Sequence, residues 1–401
     1  MDRSGVGSFG TSENEYFAHS LDVFELPKTE KLMHDGLDVF YNPIATLSDE
    51  GPYEFLINRD LECHFYLPRT RLHGAFKIVK TDGTDIPVDA DVSIANLMSH
   101  NLFKQIELYI NGTQVVDLSS PTYPWKAFIE NFLTYSGSVK RTSLRSALYH
   151  EDDAETYPGI WKTSTTQANS ALKTRQKWIS ASKRCEFVTP LHIDFLNCDL
   201  LLPPNLDIKF RFTRHNSNFG LLTDAVGDYK IKLIDLKLEM RKVLCDIETR
   251  KQFMVKLIKK PAIFPYSMTK IRTYVLPQGI TSQTITNIVS GRLPRQIIIG
   301  FLNTESLSGS PKYNPFYFHH FNVTNICLRI NGQNYPSQPL KPDFANGICM
   351  REFRHTIDNI GVQGDNISVG FDYERFQKSK TLFGFDLTPD QCNGAHLHEN
   401  K

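Results

Sequence analysis

The feature that most constrains this chain is a seven-residue pattern that occurs twice. Residues 106–112 are I-E-L-Y-I-N-G, and residues 326–332, which lie 220 positions further on (326 − 106), are I-C-L-R-I-N-G. In both copies apolar residues alternate with others and run into Asn-Gly, a dipeptide that tolerates the positive φ angles of a type I′ hairpin turn. Solenoid repeats have periods of roughly 20–50 residues, so this spacing indicates a duplicated domain.

The sequences on either side of the two copies repeat as well. Upstream, an apolar stretch ends in Leu-Pro in each copy, at 67–68 and at 276–277. Downstream, each copy has apolar residues at helical spacing, which places them on one helical face. These residues are Trp125, Phe128, Ile129, Phe132 and Leu133 in the first copy, and Met350, Phe353, Ile357 and Ile360 in the second. A chance match of a common hairpin pattern is the alternative, but three features in the same order favour duplication.

Length and composition agree with two β-rich domains. A chain of 401 residues predicts two or three domains, and each half is large enough for a full sandwich core. The 27 Phe and 16 Tyr against three Trp suit sheet interiors. Lys and Arg number 45 against 44 Asp and Glu, and no basic stripe stands out. Charge therefore gives no reason to expect direct, sequence-specific nucleic-acid binding.

The cysteines and the apolar runs indicate the cellular compartment in which the protein is expected. The seven cysteines are odd in number, widely spaced and contain no C-x-x-C, which favours a reducing compartment with thiols that are not cross-linked. The first residues have no apolar core of a signal peptide. No apolar run approaches the roughly 20 residues of a membrane span, so we expect no transmembrane segment.

The breaks between apolar stretches predict the domain organisation of the chain. We expect a flexible N-terminal arm at 1–20, a first domain at 21–244, a linking helix at 245–259 and a second domain at 260–401. The helix is predicted by Ile247, Met254, Leu257 and Ile258, which share one face. Within the first domain, residues 136–185 form a long, mostly polar loop, and a connection this long tends to be functional or mobile.

Short apolar runs predict many strands and few helices, which is typical of sandwiches or barrels. In the first domain they lie at about 61–80, 103–117, 186–202 and 207–214, and in the second at about 262–276, 283–289, 295–302, 317–331, 366–372 and 381–387. The clearest places Ile208, Phe210 and Phe212 on one face. The alternation also changes phase between Leu233 and Ile234, which predicts a β-bulge.

Known catalytic motifs are absent: there is no G-x-S-x-G, H-E-x-x-H or P-loop. A G-x-G-x-x-G occurs at Gly5, Gly7 and Gly10, but no strand pattern precedes it. The acidic cluster at 151–155 has the composition of a cation site, although charge runs normally face water and the spacing is not that of an EF-hand. Lys173 to Lys177 is typical of an ordinary surface.

Two groups of possible metal ligands are also weak. Cys392, His396 and His398 supply three candidates near the end of the chain. His319 and His320 are neighbours in an aromatic strand, so they point to opposite faces, and we expect one to face the core. We therefore predict no catalytic, cofactor-binding or metal-binding residues, no cofactor and no enzymatic activity.

A set of short motifs, in one order over about 350 residues, resembles a known family. The motifs are Asn42-Pro43-Ile44, Gly51-Pro52-Tyr53-Glu54-Phe55, Tyr66-Leu67-Pro68-Arg69-Thr70-Arg71-Leu72, Asn101-Leu102-Phe103, Ile110-Asn111-Gly112, Thr122-Tyr123-Pro124, Gly291-Arg292-Leu293-Pro294, Asn314-Pro315-Phe316, Leu340-Lys341-Pro342-Asp343-Phe344 and Phe385-Asp386-Leu387-Thr388-Pro389-Asp390. In their order the chain resembles the major capsid protein, or hexon, of Polinton/Maverick elements and adintoviruses. That family is similar to the double jelly-roll capsid proteins of adenoviruses, virophages and tailless membrane-containing phages.

The resemblance implies an all-β fold of two tandem eight-stranded jelly-roll sandwiches with a few short side helices. It implies a homotrimer of pseudo-hexagonal outline that contacts neighbouring capsomers and penton or minor capsid proteins in an icosahedral virion shell. Synthesis in the host cytoplasm and assembly in the host nucleus or cytoplasm would follow. The helices near 123–135 and 345–360 should pack at the sandwich sides near subunit contacts, and the loop 136–185 should rise to the outer side. Members of the family continue with another strand, so we expect the second jelly roll here to lack its last strand.

The sequence also fits three alternatives. A non-enzymatic tandem jelly roll could bind glycans or a protein, since fold alone does not fix function. A cupin-like enzyme would need a His-rich metal set on core strands, whereas the H-x-H here, at His396 and His398, lies near the chain end. A domesticated host copy of a capsid gene would keep the same core.

Overall fold

The computed structural model describes residues 32–116, 121–152, 169–224, 229–289, 291–360 and 369–388. The strands are β1 (Met33–Tyr41), β2 (Tyr53–Ile57), β3 (Cys63–Lys80), β4 (Ser93–Ile94), β5 (Phe103–Ile110), β6 (Thr113–Gln114), β7 (Cys185–Pro190), β8 (Ile208–Arg214), β9 (Leu221–Leu222), β10 (Tyr229–Cys245), β11 (Gln296–Gly300), β12 (Ile326–Ile330), β13 (Gln333–Leu340) and β14 (Leu382–Asp386). The helices are α1 (Met98–Asn101), α2 (Tyr123–Thr134), α3 (Gly137–Arg141), α4 (Ser170–Ile179), α5 (Ile247–Lys259), α6 (Thr304–Ser308), α7 (Met350–Asn359) and α8 (Tyr373–Lys378). Sheet with a few short helices is the predicted fold class, which is confirmed; the predicted arm at 1–20 lies outside the described residues.

The eight main strands of residues 32–245, which we call the first half, form two four-stranded sheets. One sheet has the order β1-β10-β3-β7 and the other β2-β8-β5-β6, all neighbours being antiparallel. Buried apolar residues of both sheets belong to one core, so the sheets face each other as a sandwich. Counted along the chain, the orders are first-eighth-third-sixth and second-seventh-fourth-fifth. That arrangement is the jelly roll, in which two Greek keys interleave.

The local sequence explains why these strands form. In β8 the residues alternate between buried and half-buried, and Ile208, Phe210 and Phe212 are fully buried, as the alternation predicts. In β10 the pairing with β3 shifts register between Leu233 and Asp235, which confirms the predicted bulge at the phase change. The alternation in β8 and the bulge in β10 therefore each keep apolar side chains on the face that packs against the core.

Both copies of the repeated pattern form the predicted hairpin. Asn111 and Gly112 have φ angles of 48° and 77° between β5 and β6, and Asn331 and Gly332 have 49° and 83° between β12 and β13. Two successive residues with positive φ define the type I′ turn, whose twist matches that of the flanking strands. The duplication of this hairpin is thus present in the backbone itself.

The described residues from 260 to 388, which we call the second half, contain four strands in two separate pairs. β11 pairs with β14, and β12 pairs with β13. The strands predicted at 262–276 and 283–289 are wrong, because neither segment forms a ladder with any described strand. Alternating apolar residues are insufficient where no neighbouring strand accepts their backbone hydrogen bonds. Of the strand predicted at 317–331, only Ile326–Ile330 forms.

The two halves share a second core in which α2 is central. Phe128 of α2 stacks on Phe316 with ring centroids 4.3 Å apart and planes 2° apart. Trp125 Nε1 donates to Pro315 O over 3.1 Å, and Phe132 contacts Phe371 edge to face. The predicted apolar face of α2 is confirmed, since Trp125, Phe128, Phe132 and Leu133 are buried.

Helix α7 covers β14 in the second half. Thr356 Oγ1 donates to Leu382 O over 3.0 Å, and Ile360 packs in the same core. The prediction that Met350 shares this buried face is wrong, because Met350 is exposed at the start of the helix. Both repeats therefore place a helix after the hairpin, but the faces they bury differ at the first turn.

Candidate interaction surface

Half of the large apolar side chains that are exposed in the described chain lie in one stretch, between residues 247 and 298. Of 26 such side chains among the described residues, 13 lie in this stretch. They are Ile247, Met254, Val255, Ile258, Ile263, Tyr266, Met268, Tyr274, Val275, Leu276, Ile280, Val289 and Ile298. We call them the 247–298 surface. A concentration of exposed apolar side chains is typical of a surface that contacts another protein.

Helix α5 carries the first part of this surface. It begins after Asp246, whose carboxylate accepts a hydrogen bond from Glu248 N over 3.0 Å, and none of its residues is buried. Ile258 is 85% exposed and Ile247 is 59% exposed, although their spacing places them on one apolar face. A helix with an uncovered apolar face is stable in an assembly when another surface covers that face.

An apolar groove lies between α5 and the first half. It has a volume of about 370 Å³. Its lining includes Ile110, Phe195, Leu202, Pro203, Pro204, Leu206, Met254, Leu257 and Phe264. The groove is lined by Met254 and Leu257 of α5 and by Ala262 and Phe264, which follow α5 along the chain.

A polar clamp fixes the beginning of that segment on the first half. Asp194 accepts a hydrogen bond from Thr269 N over 2.7 Å and lies 2.5 Å from Lys126 Nζ of α2. Tyr266 also packs edge to face on Phe195, with ring centroids 5.4 Å apart. Residues 264–269 are therefore held in place by named contacts.

A buried polar cluster lies beneath α2, next to the clamp. His100 Nδ1 is 3.0 Å from Tyr123 Oη, and His100 Nε2 is 2.9 Å from Thr189 Oγ1. Burial holds the pKa of His100 well below its usual value and raises the pKa of Tyr123. His192 Nδ1 lies 2.7 Å from Glu130 Oε2 at the edge of the cluster. The neutral His100 and Tyr123 thus fix α2 against β7 by hydrogen bonds without buried charge.

A buried ion pair anchors the segment that was predicted to be the loop 136–185. Residues Ser170–Ile179 of that segment form α4, which Asn169 caps. Arg175 is 1% exposed; its Nη2 lies 2.6 Å from Asp152 Oδ1, and its Nε donates to Ile94 O over 2.8 Å. Asn96 Nδ2 also donates to Asp152 over 2.9 Å. The interpretation of Lys173 to Lys177 as ordinary surface is therefore wrong for Arg175, because this side chain turns inward to a carboxylate.

The same contacts correct the interpretation of the acidic cluster at 151–155 as a run of charges that faces water. Asp152 is held by Arg175, and Glu151 is paired with Arg375 of the second half, so these two carboxylates are structural partners of arginines. The remaining cluster positions, 153–155, lie outside the described residues. No sequence pattern predicts these pairs, since the partners are far apart along the chain.

A buried lysine also joins the two halves. Lys140 is 1% exposed, and its Nζ donates to Phe132 O and to Val369 O of the second half, each over 2.5 Å. Nζ also lies 4.5 Å from the centre of the Phe132 ring. Burial lowers the pKa of Lys140 to about 8. Charge-assisted bonds to carbonyl groups therefore stabilise this contact while the lysine is protonated.

The other predicted candidates for chemistry have these outcomes. His319 is buried and burial lowers its pKa to about 4, which confirms that one of the two histidines faces the core; His320 stacks on Phe344, and neither residue lies in a strand, so the alternation expected of them does not apply. Gly5, Gly7 and Gly10, and likewise Cys392, His396 and His398, lie outside the described residues. Over the described ranges, no three His, Cys, Asp or Glu side chains are grouped as they would be to hold a metal ion. No helix in that part of the chain is long and apolar enough to cross a membrane.

The strand order defines the class of the first half as a jelly-roll protein, and the hairpin-plus-helix repeat relates the second half to it. No protein-family model matches the chain. An uncharacterized protein of Caenorhabditis elegans is 24% identical over 382 residues, which are 91% of this chain and 86% of that protein.

Three solved viral structures are similar over part of the chain. The Sputnik virophage structure has 11% identity over 60% of this chain and 54% of its own, with a TM-score of 0.39. The PBCV-1 virus capsid has 13% identity, 57% and 47% coverage and a TM-score of 0.35. The mavirus major capsid protein has 12% identity, 73% and 56% coverage and a TM-score of 0.32. The chain spans about half the length of these solved chains, and at such TM-scores the assignment of the fold rests on the strand order above.

Proposed function

We propose that this protein is a structural major capsid protein of the kind found in Polinton/Maverick elements and adintoviruses. In this proposal three copies form a capsomer of pseudo-hexagonal outline, and capsomers tile an icosahedral virion shell. The protein acts by burying complementary surface and performs no chemical reaction. Its partners are two further copies, neighbouring capsomers, and penton or minor capsid proteins.

The observation that carries the proposal is the tandem repeat. Each half has a hairpin closed by Asn-Gly and then a helix, and the halves are joined through the core around Phe128. A subunit with two similar lobes gives six similar lobes when three copies are arranged about a threefold axis. The order of the capsid-like sequence motifs supports the same assignment.

The 247–298 surface supports assembly as the mode of action. Obligate interfaces bury on the order of 2,000 Å² or more and are rich in apolar side chains. The exposed face of α5 supplies such side chains, including Val255 and Ile258. In the proposed capsomer a neighbouring subunit covers this face.

Introducing charge on α5 tests whether this surface assembles subunits. Val255→Glu combined with Ile258→Asp places two carboxylates on the exposed face of α5, and Val88→Glu is the matched control, since Val88 is 73% exposed outside that surface. The double variant should elute as a smaller species in size exclusion at equal concentration, with unchanged circular dichroism. The control should elute with the unmodified protein. Identical elution of all three proteins would remove the 247–298 surface from the proposed interface.

A further inference from the structure

The Asn-Gly pairs of this chain can undergo a chemical reaction as well as form turns. In such a pair the backbone nitrogen of glycine can attack Cγ of asparagine, because glycine has no Cβ that blocks the approach. A new N–Cγ bond closes a succinimide ring, and the side-chain amide nitrogen leaves as ammonia with the proton of the glycine nitrogen. Water then opens the ring to give aspartate or isoaspartate. The reaction needs a glycine N–H without an acceptor and an asparagine side chain that can rotate.

Three Asn-Gly pairs lie in the described chain, at 111–112, 331–332 and 346–347, and a fourth, at 393–394, lies outside it. The pair at 346–347 meets neither requirement. Gly347 N donates to Phe344 O over 3.3 Å, and Asn346 Nδ2 donates to Asp343 Oδ2 over 2.8 Å. Both reacting groups are thus held by other atoms.

The two hairpin turns have the same backbone but different surroundings. Asn111 is bound to Asp207 in both directions, since Asn111 N donates to Asp207 O over 2.8 Å and Asn111 Oδ1 accepts from Asp207 N over 3.0 Å. These bonds fix the side chain and join the turn to the residue before β8. On its other edge β5 pairs with β8, so the first hairpin is part of a four-stranded sheet.

Asn331 has no such support. Asn331 and Gly332 are exposed, and among the described residues the Asn331 side chain makes no hydrogen bond. Their turn joins β12 and β13, which form a two-stranded sheet in the described chain. Two strands alone form a marginally stable hairpin. The attack requires the asparagine backbone to leave its closed turn conformation, so the hairpin that opens more readily reacts faster.

We propose that Asn331 is a site of spontaneous deamidation in the folded protein, whereas its repeat counterpart Asn111 is protected by Asp207. The reaction needs no enzyme, and its co-reactant is water. The isoaspartate product adds a methylene group to the main chain and replaces a neutral amide by a carboxylate. A type I′ turn has no place for the additional backbone atom. The modification therefore opens the tip of the β12–β13 hairpin and leaves the β5–β6 hairpin intact.

Peptide mapping by mass spectrometry measures the reaction in the full chain during incubation at mildly alkaline pH. Fragment spectra assign each conversion of an amide to an acid to one asparagine. Asn334 lies close to the turn, so Asn331→Gln is compared with Asn334→Gln as its matched control. A sample unfolded in urea is the reference for intrinsic reactivity, because Ile-Asn-Gly is the local sequence at both turns.

In the folded protein we expect Asn331 to convert about tenfold faster than Asn111, a ratio that corresponds to ~1.4 kcal/mol, about the net contribution of one hydrogen bond. In urea the two rates should become equal. Asn331→Gln should abolish the conversion at the turn, because glutamine would have to close a larger ring, and Asn334→Gln should leave it unchanged. Equal rates at Asn331 and Asn111 in the folded protein, or a tenfold ratio that persists in urea, would overturn the proposal. The measurement does not depend on the oligomeric state, so it is independent of the proposed capsomer.

Discussion

Replacing Phe128 by Ala tests whether α2 holds the two halves together. Phe128 is 2% exposed, stacks on Phe316 at 4.3 Å, and lies 5.8 Å from Phe132 and 6.1 Å from Phe318. Truncating a buried Phe costs about 3–5 kcal/mol, and the lost aromatic stacking belongs to the upper part of that range. We therefore expect the free energy of unfolding to fall by about 4 kcal/mol.

Urea unfolding followed by tryptophan fluorescence measures this loss, because Trp125 lies on the same helix. With a slope of about 3 kcal/mol per molar urea, the midpoint should fall by about 1.3 M. Phe40→Ala is the matched control, since Phe40 is 53% exposed, and its midpoint should fall by less than about 0.3 M. A loss below about 1 kcal/mol for Phe128→Ala would refute the view that α2 is the shared core of both halves.

Three further predictions concern the buried polar groups and one close approach. Arg175→Met leaves the carboxylate of Asp152 buried without its cation, so the free energy of unfolding should fall by about 3–5 kcal/mol. Adding Asp152→Leu should recover part of this loss, as measured by urea titration. A double variant as unstable as the single variant would contradict this explanation. Burial lowers the pKa of Lys140 to about 8 from the unfolded value of 10.5. Between these pH values the unfolded chain binds more protons than the folded chain. The free energy of unfolding therefore rises with pH, by at most about 1.4 kcal/mol per pH unit. Lys140→Met should remove this rise, measured as the difference between the two proteins from pH 7.5 to 10.5, and parallel curves would show that Lys140 does not titrate as stated. A Cβ on Gly74 would lie 2.3 Å from Phe187 Cζ, so Gly74→Ala should lower the free energy of unfolding by about 1–3 kcal/mol through overpacking. Adding Phe187→Leu should relieve this clash and recover stability in thermal melts. If the losses of the two substitutions simply add, there is no clash.

Local sequence rules predict local structure well in this chain. The alternation in Ile208–Arg214, the Asn-Gly turns and the bulge near Leu233 each depend on neighbouring residues, and each is present in the structure. The family resemblance implies a jelly roll without giving the order of its strands, and the pairings of the structure supply that order for the first half.

The failures of sequence reasoning depend on partners that are remote along the chain. Arg175 lies in a basic stretch that is typical of a surface, and only the fold places Asp152 against it. The strands predicted at 262–276 and 283–289 have suitable apolar residues, but strand formation there needs a neighbouring strand that the described residues do not provide. The exposed face of α5 was predicted as a helical face, while its lack of cover is visible only in three dimensions.

The mass of the purified protein, measured by light scattering after size exclusion and combined with negative-stain images of the peak, shows whether the protein assembles as a capsomer. We expect a species of three times 45.9 kDa with a hexagonal outline, because two similar lobes in each of three subunits surround a threefold axis. A stable monomer at micromolar concentration would contradict the capsomer and favour a tandem jelly-roll module that binds glycans or a protein.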